Sequence, residues 1–465
     1  MLKINERISP QDLRPRIRTL FECAGQKIQA IKASRTDGDP SPVFTVAGKY
    51  TSRGWTEWTQ GFQFGCAILQ YDATGEKQFL EYGRRQTLER MAPHVSHTGV
   101  HDHGFNNIST YGNLRRLMIE GRIAGNEWQK KYYELALKLS GAVQASRWTA
   151  LADKLGYIYS FNGPHSLFAD TIRSLRALVV SHQLGHVLMA EQDCTINLLQ
   201  RALQHAETTA RYNVYLGQDR DAYDVRGRVA HESIFNVNNG TYRCPSTQQG
   251  YAPFSTWTRG HAWILLGYTE QLEFMQSLPA EELDGIAPGL FTTKESILRR
   301  FLEVATAVAD FYLEQTPTDG IPYWDTGAPG LALLGDYLER PADPFNNHEP
   351  VDSSAAAISA QGLLRLGRYL ELKGKRPLAK RYFQAGLTIA DRLFDEPYLS
   401  TDPNHQGLLL HSVYHRPNAW DHISQGREVP CGESSMWGDY HAMELGLMIL
   451  RMATDKPYYK FFTDL

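Results

Sequence analysis

The chain has 465 residues, a formal net charge of −3 and a sequence pI near 6.6. This slightly acidic balance argues against nucleic acid or an anionic membrane as the main partner, because both select basic surfaces. The residues after Met1 are polar and lack the apolar core of a signal peptide, and no uncharged stretch is long enough to span a bilayer. Five cysteines stand singly, which predicts a soluble protein in a reducing, cytoplasmic location without a disulfide framework.

Amphipathic helices are predicted along most of the chain. Apolar residues recur at three- and four-residue steps over 128–139, 195–210, 293–314, 355–372 and 377–393. Gly, Pro, Asn and Asp fill the loops, and strand-like sequence is limited to short stretches such as 240–243. No linker or shift in composition divides the chain, so one domain over 1–465 is expected. The pattern predicts an all-α fold, a closed ring of helical hairpins; a solenoid is the alternative, but no regular sequence period supports it.

The first candidates for chemistry are acidic residues in unusual surroundings. Asp102 lies between His101 and His103, and Asp170 follows an apolar run at the start of a helix predicted over 172–182. Burial beside aromatic residues and a second carboxylate nearby both raise a carboxyl pKa, which makes a proton donor available near neutral pH. A pair of carboxyl groups is the usual equipment for acid and base catalysis on sugars.

Two structural alternatives stay open for these residues. Asp170 could simply cap the helix that follows it, since Asp is favoured at that position. His101, Asp102 and His103 could instead be metal ligands. Against this, alternate residues of an extended segment point in opposite directions, and the sequence offers no further ligand cluster.

The segment 249–263 reads Gln-Gly-Tyr-Ala-Pro-Phe-Ser-Thr-Trp-Thr-Arg-Gly-His-Ala-Trp. If a helix begins near Ser255, Arg259 and Trp263 lie four residues apart on one face. An indole stacks on the C–H face of a pyranose, while a guanidinium and an amide such as Gln249 bind hydroxyls or a carboxylate. The segment indicates an acidic carbohydrate, although a helix with an ordinary buried Trp and a surface Arg would show the same pattern.

Taken together, these motifs resemble the unsaturated glucuronyl hydrolases, glycoside hydrolase family 88. The resemblance runs from about Trp55 to Tyr440 and is carried by Asp170 and by segments 58–65, 101–105, 249–263, 322–325, 352–357 and 437–440. Its most specific parts are the run at 249–263 and Asp-Ser-Ser-Ala-Ala-Ala at 352–357. The family implies an (α/α)6 barrel. It also implies a substrate, the terminal Δ4,5-unsaturated uronic acid that lyases leave on glycosaminoglycan-type oligosaccharides.

The resemblance further implies a mechanism in which the C4=C5 enol ether is hydrated and the resulting hemiketal opens, releasing the neighbouring sugar. Asp170 matches the general acid and base, and Asp102 matches a supporting carboxylate that helps to keep Asp170 protonated. The positions that match substrate contacts are Trp58, His101, His231, Gln249, Arg259 and Trp263. Arg259 is the physical favourite for the uronate carboxylate, because a guanidinium binds it bidentately. No metal or organic cofactor is implied.

Some positions depart from the family pattern. Thr171, Ile172 and Arg173 replace the amide-and-thioether stretch that commonly follows the catalytic Asp in the family, and Phe161 replaces a Trp. Arg173 either brings a charge close to the catalytic helix or is simply solvated. A charged stretch at 216–229 resembles an insertion and makes the match of His231 less secure than that of Arg259. These departures affect the choice of substrate more than the reaction.

Other functions also fit the sequence. One is a neighbouring enzyme on the same barrel, either an unsaturated rhamnogalacturonyl hydrolase or an inverting glycosidase, whose carboxyl groups stand about 6.5–9.5 Å apart to admit a water molecule. The other is a non-catalytic sugar-binding helical barrel. Such a protein has no need of two buried acids with raised pKa values.

Overall fold

The structure is a computed structural model that describes residues 1–36, 38–54 and 57–463. Trp55, near which the family resemblance begins, lies outside them. The described chain is mostly helical, as predicted. Its α-helices are α1 Arg14–Ser34, α2 Gln60–Thr74, α3 Lys77–Arg90, α4 Ala92–Val95, α5 His103–Asn107, α6 Asn113–Ile119, α7 Glu127–Ser146, α8 Thr171–Ser174, α9 Arg176–Gln183, α10 Leu198–Tyr212, α11 Thr258–Ser277, α12 Ala280–Leu283, α13 Lys294–Gln315, α14 Ser353–Leu372, α15 Arg376–Leu393 and α16 Met436–Ala453.

Strands are short and pair locally into antiparallel ribbons. They are β1 Phe44–Val46, β2 Lys49–Thr51, β3 Trp148–Ala150, β4 Gly156–Ile158, β5 Ser166–Phe168, β6 Leu188–Met189, β7 Thr195–Ile196, β8 Glu232–Asn236 and β9 Thr241–Ser246. Only β5, β8 and β9 form a three-stranded sheet within the described part of the chain. None of the described helices is both long and apolar enough to cross a membrane.

The five helices predicted from periodicity are all present as α7, α10, α13, α14 and α15, with ends that differ by a few residues. The helix predicted over 172–182 is interrupted at Leu175, between α8 and α9. The helix expected near Ser255 begins later, at Thr258, because Trp257 is extended and forms an antiparallel bridge with Asp325. Backbone pairing to a distant segment is a tertiary effect that local sequence does not show.

Helices contact one another in a closed succession. Going around, α2 packs on the π-helical turn Ile108–Gly112, which continues α5; α5 packs on α8, α8 on α11, α11 on α14, α14 on α16, and α16 again on α2. A second set lies outside this succession: α1 and α3 pack on α2, α7 on α9, α13 on α11, and α15 on α14. One cluster of buried apolar side chains extends along the chain from Leu2 to Phe462.

Buried charge lies within the ring of helices. Arg173, predicted to be either near the catalytic helix or solvated, has a fully buried side chain that pairs with Glu270 at 2.7 Å and Glu444 at 3.0 Å. Burial alone would raise the pKa of Glu444, but Arg173 and other cations bring it down to about 2. Arg173 therefore joins three helices through ion pairs shielded from water.

We expect Glu444→Gln to destabilise the fold by about 3–5 kcal/mol, because it leaves Arg173 buried without full compensation. The pKa of Glu444 is lowered from 4.5 to about 2. Its contribution is therefore present above about pH 4.5 and is lost as the pH falls toward 2. Denaturant unfolding of both proteins across this pH range measures the difference.

Glu371→Gln is the matched control, since Glu371 and Arg376 are 3.8 Å apart with side chains 60% and 84% exposed. Its loss should cost about 0–1 kcal/mol. A Glu444→Gln protein as stable as this control would contradict a structural role for the buried pair.

Candidate active site

The three-stranded sheet brings Asp170 beside His231. Phe168, at the end of β5, pairs with Glu232 at the start of β8, and the Ala169 N–H donates to the His231 carbonyl at 2.8 Å. Asp170 follows this contact directly, so its Oδ1 lies 3.9 Å from His231 Nε2. The charged stretch at 216–229 therefore does not displace His231 from the site, because the strand register fixes its position.

Asp102 is brought to Asp170 by a close approach of two backbone segments. The Ser174 hydroxyl donates to the His101 carbonyl at 2.6 Å and accepts from the Gly104 N–H at 2.9 Å. Gly104 is essential to this approach: a Cβ built on it would lie 2.1 Å from the Ser174 carbonyl oxygen. Gln144 adds a bond to the same His101 carbonyl at 2.8 Å. The turns that carry the two acids are thus fastened to each other.

His101 lies between the two carboxylates. Its Nε2 is 3.3 Å from Asp170 Oδ2 and 3.8 Å from Asp102 Oδ1. Its ring stacks on Phe161 with centroids 6.3 Å apart and meets Phe168 edge-on at 5.7 Å. Asp170 does not cap the helix after it, since its side chain makes no cap hydrogen bond to α8. The capping alternative is therefore wrong, and Asp170 faces an imidazole.

The pKa values of the two acids move in opposite directions. Burial raises the pKa of Asp102 above its usual value, and Asp170 adds to the rise. Burial would also raise the pKa of Asp170, but the hydrogen bond and charge of His101, with the charge of His231, lower it overall. The expectation that Asp170 carries the raised pKa is wrong, because the hydrogen bond and charge of His101, together with His231, outweigh the effect of burial. Burial lowers the pKa of His101, but both acids outweigh it and raise that pKa.

His231 presents a hydrogen to Asp170. Its Nδ1 accepts the backbone N–H of Gln248 at 3.1 Å, so the neutral ring carries its proton on Nε2. Burial lowers the pKa of His231, which favours this neutral form. Within the part of the chain that the structure describes, Asp170 Oδ1 and His231 Nε2 make no hydrogen bond. A buried acceptor and a buried donor are both available to a reacting group.

His101, Asp102 and Asp170 also form a possible cation site, with one ligand atom from each lying within 4.8 Å of the others. The third member is Asp170, and not His103 as the sequence suggested. His103 Nδ1 is 3.0 Å from Ser140 Oγ, and its Nε2 is 2.9 Å from the His97 carbonyl. The raised pKa of His101 makes its imidazolium the natural counterion of the two acids.

Arg259 is buried in the wall of the site opposite the two acids, and its guanidinium binds several protein groups there. Its Nη1 binds Asp352 at 3.0 Å and the Val413 carbonyl, and its Nη2 binds Gln249 Oε1 at 3.0 Å and the Tyr414 carbonyl at 2.7 Å. Both outer nitrogens of the fork are thus committed to the protein. The expectation that both outer nitrogens of Arg259 are free to bind a uronate carboxylate is therefore not supported.

The bond from Arg259 fixes the side-chain amide of Gln249. Because Gln249 Oε1 accepts from Arg259, its NH2 group is directed away from the guanidinium. Asp352 holds the other side of Arg259 and also accepts the backbone N–H of Ser354 at 3.1 Å, which caps α14. The Asp-Ser-Ser motif therefore serves the pocket through a helix cap.

All these elements surround one cavity of about 450 Å³. The predicted residues that line it are Trp58, His101, Asp102, Asp170, Gln249, Arg259 and Trp263. Trp58 stacks on Trp437 with centroids 5.0 Å apart, and Trp263 packs against Phe105 at 5.0 Å. His231 lies behind this lining, against Asp170. The structure thus brings every predicted site residue into one place.

The cavity also has a rim that the sequence did not predict. It is lined by His97, Asn162, Gln248, Trp257, Tyr414, His415, Asn418 and Trp420. Trp257 lies inside the segment 249–263, so the sequence did contain a signal for its ring. Tyr414, His415 and Trp420 belong to irregular chain without periodicity, and only tertiary structure places their rings together, 4.9–5.3 Å apart.

Comparisons with known proteins find relatives along most of the chain. No protein-family model matches the chain. The unsaturated glucuronyl hydrolase of Bacillus sp. (strain GL1) is 26% identical over 434 residues, covering 90% of this chain and 94% of that protein. An unsaturated chondroitin disaccharide hydrolase of Streptococcus pyogenes serotype M1 is 25% identical over 428 residues, covering 90% and 87%. The crystal structure of an unsaturated glucuronyl hydrolase specific for heparin has a TM-score of 0.70 at 20% identity, covering 97% of this chain and 100% of that one.

The chain is an enzyme of the glycoside hydrolase class. More particularly, it is a homologue of the unsaturated glucuronyl hydrolases, which confirms the resemblance found in its motifs.

We expect Gly104→Ala to lower kcat/KM by about 100-fold or more, because a displacement of about 1 Å at a catalytic group can cost that much. The added Cβ would lie 2.1 Å from the Ser174 carbonyl oxygen, so the turns carrying Asp102 and Asp170 must separate. Overpacking should also cost about 1–3 kcal/mol of stability. Kinetics on folded protein, together with denaturant unfolding, measure both effects.

Gly54→Ala is the control, since no atom of the described residues lies within 4 Å of a Cβ at that position. Wild-type kcat/KM in Gly104→Ala would show that the spacing of the two acids does not depend on this contact.

Proposed function

We propose that the protein is an unsaturated β-glucuronyl hydrolase. It removes a terminal Δ4,5-unsaturated uronic acid from glycosaminoglycan-type oligosaccharides by adding water across the C4=C5 enol ether. The observation that carries the proposal is the state of Asp170: one oxygen is held by His101 at 3.3 Å, and the other has no hydrogen-bond partner among the described residues. A carboxylate prepared in this way can exchange protons with a substrate in the cavity.

The proton chemistry belongs to a coupled group of three. The raised pKa of His101 retains a proton in the site, while the lowered pKa of Asp170 makes its protonated form a ready donor. His101 first passes its proton to Asp170, which gives it to C4; Asp170 then takes a proton from the water that attacks C5 and returns it to His101, so the site ends each turnover as it began. The charge of Asp102 supports the protonated state of His101, so Asp102 acts on Asp170 indirectly, through His101.

The uronate carboxylate is assigned to the Gln249 side of the cavity. Arg259 directs the NH2 of Gln249 away from itself and places a buried positive charge behind it, so Arg259 acts on the substrate partly through Gln249. Trp58 and Trp263 supply ring surfaces for the apolar face of the sugar. No cofactor has a role in this scheme.

The spacing of the acids also bears on hydrolysis at C1. One carboxylate oxygen of Asp102 and one of Asp170 lie within 4.8 Å of each other, which favours a shorter separation of the two groups than the about 6.5–9.5 Å of inverting glycosidases. A separation of about 5 Å is instead typical of retaining enzymes, in which one carboxylate attacks the anomeric carbon. Retaining hydrolysis of an ordinary glycoside is therefore the second candidate function.

The proposal includes an (α/α)6 barrel in a single domain over 1–465. The closed succession of six inner elements and the outer helices packed around it support a barrel of helical hairpins, and the shared apolar cluster supports one domain. All five cysteines are free thiols, in keeping with the cytoplasmic location predicted from the sequence.

Asp170→Asn should lower kcat by about 10²–10⁴-fold, because the amide keeps the shape but cannot transfer the proton. The exposed Asp336→Asn is a matched control and should keep wild-type turnover. The assay follows loss of the ultraviolet absorbance of an unsaturated disaccharide. Near-normal kcat in folded Asp170→Asn protein would remove Asp170 from the mechanism.

Asp102→Asn should also be nearly inactive. The pH dependence of its residual activity is the more specific test of the role of Asp102. The charge of Asp102 raises the pKa of His101, so its removal should lower that pKa. The alkaline limb of kcat/KM should then move to lower pH. An alkaline limb at the wild-type position would mean that Asp102 does not support the proton of this site.

Isotopes separate hydration from cleavage at C1. In H₂¹⁸O, hydration puts the label on the C5 keto oxygen of the 4-deoxy product, sampled early before carbonyl exchange, while C1 keeps unlabelled oxygen. In D₂O, deuterium enters at C4, because the proton of Asp170 exchanges with solvent before transfer. A saturated glucuronide should be inert, since it has no enol ether.

Mass spectrometry and NMR of the early product locate both labels. Early ¹⁸O at C1 with none at C5, or efficient cleavage of a saturated glucuronide, would replace hydration by hydrolysis at the anomeric carbon.

A further inference from the structure

A second polar cavity, of about 340 Å³, lies among α1, α2 and α3. Among the described residues, none that lines it also lines the catalytic cavity. Its lining comprises Lys32, Arg35, Thr36, Asp39, Gln63, Tyr82, Arg85, Gln86 and Arg90. The mechanism proposed above uses none of these side chains.

The lining concentrates positive charge in a chain whose net charge is −3. Among the described residues of the lining there are four cations, Lys32, Arg35, Arg85 and Arg90, and one acid, Asp39. Over residues 1–36, 38–54 and 57–463, no carboxylate lies within 4.0 Å of a side-chain nitrogen of Lys32, Arg35 or Arg90. Burial lowers the pKa of Arg35; the charge of Asp39 opposes this, and the charge of Arg90 adds to it, so Arg35 and Arg90 are close enough to repel.

Contacts other than ion pairs hold these cations at the cavity. Arg35 donates to the Tyr50 carbonyl at 3.3 Å and to Ser52 Oγ at 2.7 Å. Arg90 donates to the backbone carbonyl of Asp39 at 2.9 Å, and the Lys32 ammonium lies 5.3 Å from the Tyr82 ring centroid. These contacts orient the cations without neutralising them, which is what an anion site requires.

Gln63 adds a second, independent feature. Its side chain lines the cavity in a residue that is 8% exposed, and within the described chain its Oε1 has no hydrogen-bond partner. A buried amide without a partner costs free energy unless a bound group satisfies it. The atom without a partner is an oxygen, which only accepts; a half-turn of the amide exchanges it for the NH2 group, and in that orientation Gln63 donates to an oxyanion in the cavity.

We propose that this cavity binds an oxyanion group, a sulfate or a carboxylate, through Lys32, Arg35 and Arg90, with Gln63 as an additional donor. Guanidinium groups bind such planar or tetrahedral oxyanions through paired N–H bonds. The group could arrive as a free inorganic anion or as a substituent of an acidic saccharide. The proposal does not rest on the proposed catalytic function.

The test is sulfate binding by the full-length protein, measured as a thermal shift against sodium chloride of equal ionic strength and by calorimetry. Wild type should show a saturable rise in Tm with sodium sulfate. Lys32→Gln and Arg90→Gln should each raise the half-saturating sulfate concentration about tenfold or more, since losing a hydrogen bond between charged groups costs at least that much affinity. Lys32→Gln is the safer variant, because Lys32 only rests on a ring.

Arg376→Gln is the matched control, as it removes one cation whose side chain is 84% exposed and lies far along the chain. It should bind sulfate as wild type does. Wild type without a saturable sulfate effect beyond chloride, or equal binding by all three variants, would overturn the proposal. Turnover of an unsulfated unsaturated disaccharide should stay unchanged in Lys32→Gln, so failure of this site and failure of the proposed function are separate results.

Two further arms identify the source of the anion. Saturated disaccharides with and without a sulfate are inert to hydration and can be titrated at equilibrium. If Lys32→Gln weakens only inorganic sulfate, the site takes a free anion. If it also weakens the sulfated disaccharide but not the unsulfated one, the site takes an oxyanion carried on a saccharide. Both outcomes support the site. If Lys32→Gln weakens the binding of neither inorganic sulfate nor the sulfated disaccharide, the site is contradicted.

Discussion

The approach of Gly104 to Ser174 is the contact on which the active site depends. Two turns from different helical hairpins meet there with no room for a side chain, and a single hydroxyl bonds both of them. Asp102 and Asp170 are carried by those turns, so their spacing is set by backbone contact and not by the flexibility of their own side chains. Their oxygens can then lie within 4.8 Å while each keeps a different environment. A pair so close can hold protons in common, which separate surface acids cannot do.

Buried ion pairs hold the base of this arrangement. Arg176 donates to the Gly104 carbonyl at 2.8 Å, while Arg173 binds Glu270 and Glu444, so the turn below Asp170 is joined to α11 and α16. Such pairs add little net stability compared with apolar packing, but they tolerate few alternative geometries. We interpret them as fixing the orientation of the short helix α8, whose four residues are too few to be rigid alone.

Sequence periodicity was sufficient for the long helices, because a helix that buries one face must repeat apolar residues at that spacing. Periodicity was insufficient where backbone pairing sets the end of a helix. At Trp257, a bridge to Asp325 moves the start of α11 to a later residue. The motifs predicted which residues meet in the cavity, yet they could not show the partners of those residues. Arg259 is committed to four protein acceptors, and Asp170 faces the imidazole of His101; both contacts depend on loops distant in sequence. The rings of Tyr414 and Trp420 had no local signal at all.

Asp352 performs two tasks with one carboxylate. One oxygen binds the backbone N–H of Ser354 at the start of α14, and the other binds Arg259 on the pocket wall. A substitution at either Asp352 or Arg259 therefore alters a helix terminus and a sugar-facing surface together. Among homologues, positions 259 and 352 should change in concert, with Gln249 as the third member of the set. Redesign of this wall for a different sugar would have to treat the three residues as one unit.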